Sequence, residues 1–213
     1  MSQIILDFGS GNTCKNEPAI IMRMIDELAK VDTRKHEVVI KWQLFIKAGD
    51  NIPLTRQSFD YAYDYAAKVG YKTTSSVFDL QSMRFLLYYD IPFVKIANNR
   101  NLDWLIGEVP RKIPVYVSIS RNYKIGDSRM LYDNEDGYKK LACVSKYPAK
   151  PEEYKETFLH DQLCNGISDH TIGLDLFNKY KPEIWEKHYK LSDSTGLDAG
   201  PFAITPEELK EIL

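Results

Sequence analysis

The chain has 213 residues, 44% hydrophobic and 27% charged, with 28 basic against 30 acidic side chains and a formal net charge of −2. That length buries a sizeable core in one large domain. The charge balance excludes the electrostatic footprint expected of a nucleic-acid or anionic-membrane binder.

The N-terminus, "MSQIILDFGSGN", has no basic leader followed by an apolar run, and no segment approaches the ~20 apolar residues of a membrane span. Cys14, Cys143 and Cys164 form no CxxC pair. An odd, scattered set fits a reducing compartment. The expectation is a cytoplasmic protein without nucleic-acid or membrane partners.

Strand and helix patterns then alternate. "QIILDF" (3–8) reads as a buried strand. Residues 17–31 place Ile21, Met24, Ile25 and Leu28 on one helical face. "EVVIKWQLF" (37–45) is the second strand. Residues 56–69 carry the stripe Phe59, Ala62, Ala66 and Val69, and Gly70 ends that helix. "KTTSSVF" (72–78) is the third strand, followed by an amphipathic helix through Leu80, Met83, Leu86 and Leu87. "PFVKIA" (92–97) is the fourth, with a short helix over 102–106. "PVYVSIS" (114–120) is the fifth.

The polar stretch 121–138 has no helical stripe and reads as a long loop of the kind that often carries function. "KKLACVS" (139–145) is strand six, with a helix over 152–163. "NGISDH" (165–170) is strand seven, with a short helix over 174–180. "IWEKHYK" (184–190) is strand eight. "TPEELKEIL" (205–213) closes as a helix, with Thr205 as N-cap and Pro206 at its first position.

Strands joined by crossover-sized connections imply a parallel sheet. Eight such units predict a compact (β/α)8 TIM barrel over 1–213, with short or missing peripheral helices. The alternative, an open doubly wound sheet, lacks its fingerprint: "GSGNTC" has no third glycine.

In such a barrel the strand C-termini gather the chemistry. Those positions hold Asp7, Lys41, Gln43, Ser75, Ser76, Lys95, Asn98, Ser118, Ser120, Ser145, Tyr147, Ser168, His170, Glu186 and His188. Lys41 and Lys95 sit within the apolar runs "VIKWQ" and "FVKIA", where burial of charge needs compensation, and an anion supplies it. His170 and His188 end consecutive strands, and neutral imidazole is a common metal ligand. Each residue also has a plainer reading, as a solvated lysine or a hydrogen-bonded histidine. The aromatic run "DYAYDYAAK" reads as helix surface and core packing.

The stretches "CVSKYPAKPEE", "GISDHTIGLD", "WEKHYKLSD" and "LDAGPFAITPEEL" resemble, in order and spacing, the barrel domain of the sialic acid synthase family. "VIKWQ", "TSSVFD", "FVKIAN" and "VSIS" resemble its earlier strands. The resemblance implies an enzyme that condenses phosphoenolpyruvate with an N-acylated amino sugar or related aldose, giving a nonulosonic acid. It implies a divalent metal, Mn2+ or Mg2+, on His170 and His188, and phosphoenolpyruvate on Lys41 and Lys95. Ser76, Ser118 and Ser168 fall where the family places hydroxyls around that anion, and Gln43, Tyr147 and Asp198 where residues face the sugar. Asn98 and Ser145 complete the expected substrate contacts. Glu186 and Lys187 match the polar residues before the second histidine. Asp7 falls where the family has a glutamate acting on the tetrahedral intermediate. A homodimer is compatible with this reading.

The chain departs from the family pattern at several points. Asp7 is one methylene shorter than the expected glutamate. Asn98 and Arg100 follow "KIA" where serine and an acidic residue are usual, Ser145 replaces an asparagine, and Ala203 a serine. The family's C-terminal antifreeze-like domain is expected to be absent, and with it an arginine that a partner gives to the sugar. Arg100 and Arg121 are candidates to replace it. Two other readings follow from these departures: an aldolase or lyase on a related 2-keto acid, and a barrel that binds without catalysis.

Overall fold

Each of the eight runs read as a strand forms one strand. The computed structural model describes residues 1–121, 137–155 and 164–213. Its strands are β1 (Gln3–Gly9), β2 (Glu37–Leu44), β3 (Lys72–Val77), β4 (Val94–Ile96), β5 (Val115–Ile119), β6 (Tyr138–Cys143), β7 (Gly166–Asp169) and β8 (Ile184–His188). They pair in parallel in chain order and close into a barrel, with Asp7 opposite Lys41 on one side and His188 on the other.

The helices follow their caps and stripes. They are α1 (Gly11–Cys14), α2 (Pro18–Val31), α3 (Arg56–Val69), α4 (Leu80–Leu86), α5 (Asp175–Tyr180) and α6 (Pro206–Leu209). In α2 the buried face is Ile21, Met24, Ile25, Leu28 and Val31. Thr55 caps α3 by accepting from the Ser58 amide, and Gly70 ends it at φ 93°, a left-handed conformation that glycine adopts without penalty. Thr205 and Glu208 form a capping box at α6. The segment after β4 is a 3-10 helix, Arg100–Glu108.

Two differences from the sequence reading concern local detail. Four residues after β1 form α1, too short for a periodic signal. Pro151–Glu153 is a 3-10 turn, while 156–163 of the expected helix lies outside the described residues. So does 122–136 of the expected loop. Among the described residues, no helix is long and apolar enough to cross a membrane.

Side chains alternate across a strand, so each strand supplies both the outer core and the barrel interior. Outward residues such as Ile4, Leu6, Ile40, Trp42, Val117 and Trp185 pack in the main core beneath the helices. Inward Ile5, Val39, Phe93, Tyr116, Leu141 and Ile184 form a separate cluster that fills the barrel's lower half. Phe93 and Tyr116 stack there with centroids 4.0 Å apart. Gly166 is required at that level, because a Cβ would stand 2.1 Å from the Ile184 carbonyl oxygen. This apolar floor closes the barrel from below, and the layer directly above it is polar, apart from the Cys143 thiol.

Candidate active site

One step above the floor, each strand sends one residue into a cavity of about 410 Å³: Asp7, Lys41, Ser76, Lys95, Ser118, Cys143, Ser168 and Glu186. Gln43, Asn98, Ser145, Tyr147, His170, His188 and Asp198 line it nearer the mouth. The structure therefore brings together most of the residues singled out above. Ser75 does not join them, because its hydroxyl donates to the Trp42 and Ser76 carbonyls. Ser120, Arg100 and Arg121 do not line the cavity. Of the two residues before His188, Glu186 faces inward while Lys187 lies behind the wall.

The belt is organised by its two lysines, each only 1% exposed. Lys41 Nζ donates to Ser76 Oγ at 2.8 Å and lies 2.7 Å from Asp7 Oδ2. Lys95 Nζ donates to Ser118 Oγ at 2.7 Å and to the Ile96 carbonyl at 3.0 Å, with Glu186 Oε1 at 3.7 Å. Each serine oxygen accepts from an ammonium, which leaves its own O–H free to donate elsewhere. Ser168 differs, since it donates to Glu186 Oε1 at 2.9 Å. The other Glu186 oxygen is buried without a hydrogen-bond partner among the described residues.

Electrostatics follow from burial and these neighbours. Burial by itself raises the Asp7 carboxyl, but Lys41, then His188 and the Gly9 amide, outweigh it and hold Asp7 well below the usual carboxylate range. A β-bulge between Asp7 and Gly9 brings that amide 2.9 Å from Asp7 Oδ1. Burial pushes Lys95 down, and the Lys41 charge adds to this against the attraction of Glu186. Burial also lifts the Cys143 thiol to about 11, so it is not a thiolate nucleophile at neutral pH.

At the mouth, the His170 and His188 rings lie 5.6 Å apart. Burial, then the nearby His188, push His170 down to about 4, so its imidazole is neutral at pH 7. His170 Nδ1 donates to the Val144 carbonyl at 2.7 Å, which assigns the lone pair to Nε2. Among the described residues His188 Nδ1 is buried without a hydrogen-bond partner, with Asp7 Oδ2 at 3.8 Å. These two imidazoles are the residues that could hold a metal. Among the described residues no group of three or more His, Cys, Asp or Glu is arranged for one. The ring of Tyr147 packs on His170 at 4.2 Å and edge-on to Phe202 at 5.1 Å.

In the far wall Asp198 and Gln43 were expected, but the residues that hold them were not apparent in the sequence. Asp198 accepts from the Ser10 amide and hydroxyl at 3.3 and 3.1 Å, from Asn12 Nδ2 at 3.4 Å and from Gln43 Nε2 at 3.4 Å. Asn12 also donates to Asn51 Oδ1 at 2.7 Å and accepts from the Ile52 amide at 3.0 Å, fastening the loop after β2 over the cavity. Asn51 thereby becomes a lining residue, as do Phe78, Ala97, Cys143, Leu197 and Phe202. Only Cys143 had a sequence signal, two positions before Ser145 on the same face.

An N-acetylneuraminic acid (sialic acid) synthetase from Leptospira borgpetersenii serovar Hardjo-bovis superposes with a TM-score of 0.80 at 21% identity, over 98% of this chain and 80% of that one. The spore coat polysaccharide biosynthesis protein spsE of Bacillus subtilis gives 0.78 at 22%, over 99% and 65%. A truncated 3-deoxy-D-arabino-heptulosonate 7-phosphate synthase of Thermotoga maritima gives 0.63 at 11%, over 99% and 83%. At these identities the likeness is one of fold. A search of curated proteins returns no match. The sequence profile of the NeuB family matches residues 23–213, which takes in β2 to β8 and every lining residue except Asp7; the chain belongs to the NeuB family.

Proposed function

We propose that the protein condenses phosphoenolpyruvate with an N-acylated amino sugar or related aldose to give a nonulosonic acid. Family membership supports a synthase of the sialic acid type. The observation that carries the finer reading is the pair of buried lysine–serine units, Lys41–Ser76 and Lys95–Ser118. Each offers an ammonium and an uncommitted hydroxyl proton toward one cavity closed from below. Such charge-assisted donors suit a small, multiply charged anion.

His170 and His188 fit a divalent cation, Mn2+ or Mg2+, as two imidazole ligands that leave its other positions to solvent and substrate. When bound, the metal supplies Lewis-acid polarisation of the acceptor aldehyde. The lysine–serine units hold the phosphate and carboxylate so that C3 of the enol faces that carbon. Neither lysine needs to form a Schiff base, because the enol phosphate already carries a nucleophilic carbon. The new bond joins C3 to the aldehyde carbon, water adds at C2, and phosphate leaves from C2. Asp7, held strongly ionised by Lys41, is a weak proton acceptor and acts chiefly by stabilising positive charge that develops at C2. Gln43, Asn51, Tyr147 and Asp198 form the wall that meets the acceptor.

The test is an acceptor screen that follows inorganic phosphate release from phosphoenolpyruvate with Mn2+ present. Release that depends on both an aldose and the metal is expected. No release with any N-acylated amino sugar or aldose would overturn the reading.

A further inference from the structure

We infer that Asp169 and Lys187 are a positioning pair that sets the two imidazoles at the mouth. This rests on the reading of His170 and His188 above and extends it to side chains that do not line the cavity. Lys187 Nζ lies 3.3 Å from Asp169 Oδ2, and both side chains are fully buried behind the barrel wall. Lys187 also donates to the Thr171 carbonyl at 2.6 Å. Asp169 Oδ1 accepts from the Thr171 amide at 2.8 Å and its hydroxyl at 2.7 Å, and Oδ2 accepts from Trp185 Nε1 at 3.1 Å.

The consequence is geometric. The chain is gripped at 169 and 171, on both sides of His170. Lys187, directly before His188, ties β8 to the same point, and Asp169 and Lys187 are register partners. One ion pair therefore fixes the backbone that carries both histidines. The charges are not needed for folding as such, since a buried ion pair is generally no more stable than apolar residues of similar volume. What they add is direction, because donors from both strands converge on a single carboxylate. His170, its second nitrogen held by the Val144 carbonyl and its backbone gripped on both sides, is thereby a better ligand, and His188 gains the fixed backbone.

The experiment compares the full-length protein with the double variant Asp169→Leu/Lys187→Met. Four quantities are read: melting temperature, long-range 1H–15N spectra of the histidine rings in metal-free protein, Mn2+ affinity, and phosphoglycolate affinity. The expected result is a retained melting temperature and phosphoglycolate affinity within about threefold. His170 should pass from one Nδ1–H tautomer to an averaged signal, and Mn2+ affinity should fall about 10–100-fold. Unchanged ring spectra, or unchanged Mn2+ affinity where the unsubstituted protein binds the ion, overturn the inference. A parallel loss of melting temperature and both ligands also overturns it, because a plain scaffold pair behaves that way. Should the double variant not fold, Thr171→Val removes one grip on Asp169, and unaltered ring spectra there overturn the inference equally. Failure of the unsubstituted protein to bind Mn2+ would strike the proposed metal site, while the metal-free spectra still judge the pair.

Discussion

At the scale of single residues, the site is a set of buried charges that hold one another in place. Lys41 and Asp7 show it most clearly, at 2.7 Å with both side chains almost wholly buried. Removing one partner strands the other, and such losses cost about 3–5 kcal/mol. Lys41→Met is therefore expected to be destabilised by that amount at pH 7 in urea unfolding. Lys41→Met/Asp7→Leu should recover most of the loss, and strictly additive single effects would contradict the pairing. The pH dependence has a definite sign. The folded-state pKa of Asp7 lies below its ordinary value of 3.8, so its contribution is complete above that value and disappears as pH falls through the folded one. In Lys41→Met burial acts with less opposition and raises the carboxyl, so the deficit should shrink as the solution is acidified.

At the scale of elements, β1 ends in a bulge that does two things. It aims the Gly9 amide at Asp7, and it lets Asp198 approach the backbone. Gly9 has φ +76°, and a Cβ there would lie 2.8 Å from both Cβ and Oδ2 of Asp198. Gly49 has φ +58° with open space around a Cβ. Gly49→Ala pays for left-handed strain alone, whereas Gly9→Ala adds a steric clash. Left-handed strain costs about 1–3 kcal/mol in a residue other than glycine. Gly9→Ala should thus shift the urea midpoint further than Gly49→Ala, and equal shifts would mean that Asp198 yields freely. The strands themselves were legible because each is a short apolar run bounded by turns. The bulge was not, because it depends on how β1 meets β2 and on a residue 189 positions later.

At the scale of the molecule, the closed barrel divides its interior into an apolar floor and a charged belt. Ligands that bind at the belt and at the mouth should stabilise the whole fold. Phosphoglycolate and Mn2+ together, at about a hundredfold over their dissociation constants, give roughly 2.7 kcal/mol for each site filled. For a domain of this size that is about 5–10 °C per site in melting temperature. Differential scanning fluorimetry with each ligand alone and with both measures it, and no shift under saturating conditions would count against a shared site.

The sequence by itself determined the order of strands and helices, the barrel class and the inward ring of Lys41, Lys95, His170, Glu186 and His188. Those features are local: strand period, caps, turn residues and motif spacing all act within a few positions. Tertiary structure alone decided which inward residues share a level, because that depends on the stagger with which the sheet closes. It also decided that Lys187, which strand alternation turns away from the cavity, meets Asp169, and that Asn12 reaches 39 positions along the chain to bring Asn51 into the site. Those contacts are fixed only when distant segments pack, and no local pattern in the chain encodes them.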